Sequence, residues 1–178
     1  LRAWKYPLPG DKNVAMLQRV VIDVDTAKMT RFQMAPDFHR ATMGDNFSVN
    51  DMKWNPDATQ LAFVSTSRDH KQATLRVADA ATGTVRTVFE ETSATQFESI
   101  AGWQVLWPTN EVLWFSERDD WGQLYLYDLV SGKLKNQITS GEGTVTRVAR
   151  VDEKTRTIWF TANGREKGQD PDFGHLYR

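Results

Sequence analysis

The chain has 178 residues, 40% hydrophobic and 25% charged, the balance of a soluble globular protein with enough length to bury a core. A formal net charge of -1 gives no electrostatic reason to expect nucleic acid or an anionic membrane surface as a partner. No stretch approaches the roughly 18 consecutive apolar residues that span a bilayer, and the absence of Cys excludes disulfides and thiolate chemistry.

The sequence opens at Leu1 without an initiator Met, a signal peptide or a tag-like stretch, which leads us to expect a processed or excised piece. The first predicted strands cover 14–23 and 28–34. They are joined by the hairpin Val21-Ile22-Asp23-Val24-Asp25-Thr26-Ala27-Lys28-Met29. Its Asp can cap the turn's backbone N–H groups, and a small residue follows where a tight turn demands positive φ. The signature returns as Val77-Ala78-Asp79-Ala80-Ala81-Thr82-Gly83-Thr84-Val85 and as Leu126-Tyr127-Asp128-Leu129-Val130-Ser131-Gly132-Lys133-Leu134. Asp23 and Asp79 are 56 residues apart, and Asp79 and Asp128 are 49 apart. A period near 50 with several short strands per repeat points to β-propeller blades rather than a helical solenoid.

A second element recurs upstream of the later hairpins. Trp54-Asn55-Pro56 leads into Leu61-Ala62-Phe63-Val64, Trp107-Pro108 into Val112-Leu113-Trp114-Phe115, and Val151-Asp152 into Ile158-Trp159-Phe160. Strands are therefore predicted at 48–54, 61–66, 73–79 and 84–90, then 101–107, 111–116, 122–128 and 133–138, then 144–151, 157–162 and 174–178. No amphipathic helix of ten residues or more is evident. A plain antiparallel sandwich shares the short strands and Gly turns, but the aligned hairpins favour the propeller. The expected fold is all-β, a partial β-propeller of about three and a half four-stranded antiparallel blades. Residues 1–178 form one propeller segment, with the end of one blade at 1–40, full blades at 41–92 and 93–141, and an incomplete blade at 142–178. Closed propellers have about four to eight blades, so we expect the chain to be part of a longer protein.

Catalytic signatures are missing. No Gly-x-Ser-x-Gly elbow, Gly-x4-Gly-Lys loop or Gly-x-Gly-x-x-Gly occurs. No catalytic residue, metal ligand set or cofactor site is read from the sequence. His39, His70 and His175 lack zinc-ligand spacing and read as loop or surface side chains. The acid pair Glu90-Glu91 follows a predicted outer strand and reads as solvated. Asp119-Asp120, beside Trp121-Gly122, reads as a turn with Asx capping. Asp23-Val24-Asp25 is only a scrap of a calcium loop, and Asn46-Phe47-Ser48 is formally a glycosylation acceptor. Trp54, Trp107, Trp114 and Trp159 fall at repeat-equivalent positions and are expected to fill the space between blades. Trp103 and Trp121 break that register. Trp103, at a strand start after the polar stretch 91–99, is the candidate substrate-binding residue.

Three segments carry a resemblance. Tyr6-Pro7-Leu8-Pro9-Gly10-Asp11-Lys12-Asn13 with Val20-Val21-Ile22-Asp23 is similar to the propeller of the dipeptidyl peptidase IV family. So are Ser116-Glu117-Arg118-Asp119-Asp120-Trp121-Gly122-Gln123-Leu124-Tyr125-Leu126-Tyr127-Asp128, and Phe160-Thr161-Ala162-Asn163-Gly164 through His175-Leu176-Tyr177. The resemblance runs in order along essentially the whole chain. It implies an eight-bladed propeller set over a C-terminal α/β-hydrolase domain of the same parent chain, a serine peptidase releasing dipeptides after Pro or Ala. A peptide substrate, a homodimeric parent and a periplasmic or exported location follow from the resemblance alone. The family's paired Glu and propeller Arg that hold the substrate lie upstream of the Tyr-Pro block, so those roles are not carried to Glu90-Glu91. Gly102-Trp103 is similar to a family stretch whose neighbours line an extended substrate pocket, although here a shorter connection leads to Trp107-Pro108. The resemblance implies that this segment gates substrate access without peptidase activity of its own. The alternative is a non-enzymatic propeller that binds a protein or ligand through loops on one blade face.

Overall fold

A computed structural model describes Leu8 and residues 10–38, 52–97 and 102–178 of the chain. His39, Asn46-Phe47-Ser48 and, of the Tyr-Pro block, Tyr6, Pro7 and Pro9 lie outside these residues. The chain divides into two compact units, Leu1–Ala94 and Thr95–Arg178. Both are built from antiparallel strands, and the architecture is all-β, a partial β-propeller.

In the first unit, β1 (Met16–Leu17) pairs with β4 (Asp37–Phe38), and β2 (Val20–Ile22) pairs with β3 (Met29–Arg31). The single strand expected over 14–23 is thus broken at Gln18-Arg19. Arg19 accounts for the break. Its Nε donates to Asp37 Oδ2 at 2.9 Å, its Nη2 donates to the Val64 carbonyl, and its guanidinium lies 4.6 Å from the Phe63 ring centroid. A four-stranded sheet follows, formed in order by β5 (Met52–Trp54), β6 (Gln60–Thr66), β7 (Gln72–Asp79) and β8 (Val85–Thr92). Phe32 stacks on Phe63 with centroids 5.6 Å apart, and Leu61 and Ala78 complete this core.

In the second unit, β9 (Trp103–Leu106), β10 (Glu111–Asp119), β11 (Trp121–Asp128) and β12 (Leu134–Gln137) form a second four-stranded sheet. A three-stranded sheet contains β13 (Thr144–Asp152), β14 (Thr157–Asn163) and β15 (Gly174–Tyr177). Among the described residues the only helical segment is the 3₁₀ turn Trp107–Thr109, which ends β9 one residue early because Pro108 cannot donate to the ladder. Leu113, Phe115 and Leu124 of one sheet meet Val145, Phe160 and Ala162 of the other in a common core. Gly122 permits that approach, since a Cβ there would stand 2.5 Å from the Phe115 ring and 2.7 Å from Thr144 Cγ2.

The second strand of each four-stranded sheet is buried on both faces along its centre and therefore reads as a continuous apolar run, Leu61-Ala62-Phe63-Val64 in β6 and Val112-Leu113-Trp114-Phe115 in β10. The fourth strand β12, Leu-Lys-Asn-Gln, is exposed throughout. The tryptophans do not share one role. Trp114 is buried, whereas Trp54 is 45% exposed. Register explains the difference. Trp54 sits opposite Leu61, which is equivalent to Val112, and Val112 faces Val105 rather than Trp107. Trp107 has left the sheet, and Trp159 is half-buried beneath the Arg150 guanidinium, 5.1 Å away. The expectation that all four indoles fill equivalent spaces between blades is therefore corrected.

Candidate functional site

The hairpin signature folds as its residues dictate. Asp23 Oδ1 accepts from the Asp25 and Thr26 N–H groups and the Thr26 hydroxyl at 2.8–3.1 Å. Asp79 does the same with Ala81 and Thr82, and Asp128 with Val130 and Ser131. In each case the Asp N–H donates at 2.9 Å to the carbonyl five residues on, Lys28, Thr84 or Lys133. Ala27, Gly83 and Gly132 occupy the positive-φ position, at +56°, +74° and +71°. The backbone N–H of the third residue on lowers each carboxylate's pKa most. These carboxylates, Asp23 included, cap their turns through Oδ1. Asp152 is a fourth copy, accepting from the Lys154 and Thr155 N–H groups with Arg156 at φ +55°. It joins β13 to β14, the first two strands of its sheet, and carries Arg156 where the second and third copies carry Gly.

Trp103 stands at the start of β9, half-buried, opposite Trp114 in the ladder. The two ring centroids are 6.5 Å apart, and Phe97 lies 5.9 Å from Trp114 on the same cluster. One part of the Trp103 side chain is therefore packing and the rest is solvent-accessible. Gly102 before it has φ +74° and open space where a Cβ would stand.

The Ser-Glu-Arg-Asp block closes the β10–β11 hairpin. Buried Ser116 accepts from the Arg118 N–H at 3.2 Å and from Arg118 Nε at 2.9 Å. The Arg118 guanidinium lies 4.4 Å from the Tyr125 centroid and 5.7 Å from that of Tyr127, a cation–π stack on two buried rings. The turn itself rests on Asp120, at φ +67°, with its N–H donating to the Glu117 carbonyl. Asp119 does not cap it, contrary to the sequence reading. Its Oδ2 accepts from the Tyr125 hydroxyl at 2.7 Å and from Gln137 Nε2 at 3.0 Å, tying three strands together.

Two polar groups inside the second unit were missed from sequence. Glu111 is 2% exposed and ion-paired with both Arg156 and Lys135. The Arg156 hydrogen bond holds its carboxyl down at about 2, against the opposing cost of burial and with a smaller contribution from Lys135. Gln123 is 1% exposed and makes four hydrogen bonds. Its Oε1 accepts from Thr139 Oγ1 at 2.7 Å and Arg165 Nη2 at 2.8 Å, and its Nε2 donates to the Gly141 and Gly143 carbonyls. The signal for Gln123 was a lone amide within an otherwise apolar strand, a polar group that burial obliges to find partners.

Glu90 and Glu91 lie within β8 rather than after it, and as successive strand residues they point to opposite faces, so they do not converge on one ligand. His70 occupies a turn at φ +58°, and His175 is on β15. Neither hydrogen-bonds a hydroxyl, so the described residues contain no Ser–His or Thr–His pair. Among the described residues no three His, Asp or Glu side chains converge as metal ligands.

The chain matches the family model for the dipeptidyl peptidase IV (DPP IV) N-terminal region over residues 1–178. Its fold is similar to that of Porphyromonas gingivalis dipeptidyl peptidase 4, with TM-score 0.71 and 19% identity over 90% of this chain and 22% of that one. It is also similar to a Bacteroides ovatus chain with the provisional description dipeptidyl aminopeptidase IV, with TM-score 0.67 and 21% identity over 82% of this chain and 22% of the other. The chain thus spans about a fifth of the length of these relatives. The match along the whole chain and the repeated blades agree: the chain belongs to the dipeptidyl peptidase IV N-terminal region family.

Proposed function

We propose that the chain is a propeller segment of a dipeptidyl peptidase IV-like serine exopeptidase. It helps wall off the hydrolase cavity, gates substrate access and shapes specificity for release of N-terminal X-Pro and X-Ala dipeptides. The observation that carries this reading is the family match across residues 1–178. Acyl transfer by a Ser-His-Asp triad needs a nucleophile elbow and oxyanion donors. In this proposal they belong to a C-terminal α/β-hydrolase domain elsewhere in the parent chain. The homodimeric parent and its periplasmic or exported location belong to the same proposal, by family resemblance. Trp103 contributes its accessible edge to peptide binding.

The test is dipeptide release from Gly-Pro and Ala-Pro chromogenic substrates by the full-length parent and by residues 1–178 alone. Activity in the parent and none in the segment is expected, and an inactive parent would overturn the peptidase reading in favour of a binding propeller. In the parent, Trp103→Ala is expected to raise KM severalfold with kcat held, the signature of lost ground-state binding. An unchanged KM would remove Trp103 from the site.

A further inference from the structure

A depression of about 570 Å³ opens in the second unit between the chain following β12 and strand β14. Its apolar lining is Ile138, Ile158 and Phe160, and its polar rim carries Ser140, Arg165 and Arg178, with Arg156 also on the wall. Arg156 is committed to Glu111. The other two guanidiniums have no acidic partner among the described residues.

Arg165 is held in place by neutral groups only. Its Nη1 donates to the Ser140 carbonyl at 3.2 Å and its Nη2 to Gln123 Oε1 at 2.8 Å. Gln123 is itself fixed by three further hydrogen bonds. The buried Nε of Arg165 has no acceptor among the described residues. Guanidinium offers five donors in a rigid fork, and only two are used here. Phe160 and Tyr177 flank it, each with its ring centroid 5.8 Å from the guanidinium carbon, which restricts its rotation. A cation positioned this firmly without a counter-charge is a preorganised half of an ion pair. Arg178 supplies a second, exposed guanidinium on the same rim.

We propose that this depression is a carboxylate receptor. Arg165 and Arg178 take the carboxylate by charge-assisted hydrogen bonds, and Ile138, Ile158 and Phe160 take an apolar stem behind it. The carboxylate comes either from a free organic acid or from a Glu or Asp side chain of the full-length polypeptide. Both sources present the same chemistry to the arginines, and neither requires the peptidase reading.

The test uses the full-length polypeptide with glutarate as probe, followed by calorimetric titration. Arg178→Gln removes one cation at an exposed position and leaves the Gln123 network intact. Saturable glutarate binding, weakened about tenfold in Arg178→Gln and absent for the uncharged glutaramide, would support a receptor for free acids. Failure of glutarate to bind would still support the proposal if Arg178→Gln lowers Tm by a few degrees at pH 7 and by nothing below pH 3. That pattern means that an acidic side chain of the polypeptide already fills the site and loses its charge in acid. Arg165→Lys, which retains charge but not the fork, should reproduce whichever loss is seen. Equal glutarate affinity in wild type and Arg178→Gln would overturn the receptor, as would no binding together with a Tm difference that is absent or independent of pH.

Discussion

Gly83 and Gly102 share a backbone φ of +74°, so an L side chain is strained at both. Their surroundings differ. A Cβ on Gly83 would stand 2.3 Å from the Arg31 carbonyl oxygen, whereas Gly102 has nothing within 4 Å. Gly102→Ala is expected to cost about 1 kcal/mol, and Gly83→Ala roughly 2–4 kcal/mol once the clash with β3 backbone is added, as read by urea unfolding. Equal costs would mean that Arg31 yields freely. The turn role of Gly83 was legible in sequence because a hairpin is local. The clash was not, because Arg31 lies far back in the chain. Glu111 shows the same limit, since its partners Lys135 and Arg156 are 24 and 45 residues away. Its folded-state carboxyl is depressed from 4.5 to about 2. The stabilisation is therefore full above the unfolded value near 4.5 and is lost as pH falls through about 2. Its upper bound is about 3 kcal/mol, reduced because Arg156 and Lys135 are half exposed to screening solvent. The stability difference between wild type and Glu111→Gln should shrink between pH 6 and pH 2, and a constant difference would sink this account.

At the scale of elements, the recurrent Asp hairpins located the strand ends that flank them to within one residue, because a capped turn pins the register on either side. The pairing of β1 with β4 was not legible, since two-residue strands carry no periodicity. The end of β10 was also misread. Ser116 to Asp119 looks like a polar loop by composition, yet its backbone continues the strand to Asp119, and the Arg118 and Asp119 side chains are taken up by Tyr125, Tyr127 and Gln137. Gln123 gives the sharpest test at this level. It links β11 to the segment 139–143 and to Arg165 through four hydrogen bonds. Gln123→Leu preserves approximate volume but leaves Thr139, Arg165 and the Gly141 and Gly143 carbonyls without that partner. The expected cost is about 2–4 kcal/mol, from several buried polar groups left unsatisfied at once. A loss below roughly 1 kcal/mol would show that water replaces the amide without penalty.

At the scale of the whole molecule, blade architecture was legible from a repeat, whereas the sequence offered a single site candidate, Trp103. A period near 50 residues is a property of the entire chain, while a site depends on which distant side chains meet. The 178-residue chain on its own presents open surfaces of two kinds. Among the described residues strand β15 pairs only with β14, leaving one edge with no ladder partner there for its N–H and C=O groups. Ile22 and Met29 on the β2–β3 hairpin, together with Leu176 on β15, are more than half exposed. An edge strand and exposed apolar side chains are both templates for association, and a formal net charge of -1 supplies little mutual repulsion. Light scattering of residues 1–178 should therefore show an average mass that rises with concentration. Leu176→Lys, which places a charge on the β15 edge, should reduce that rise if the edge is the contact. Ile22→Lys should do so if the hairpin is. A strictly monomeric species at high concentration would mean that neither surface is sticky enough to matter, and that this segment stands alone more comfortably than its open edge implies.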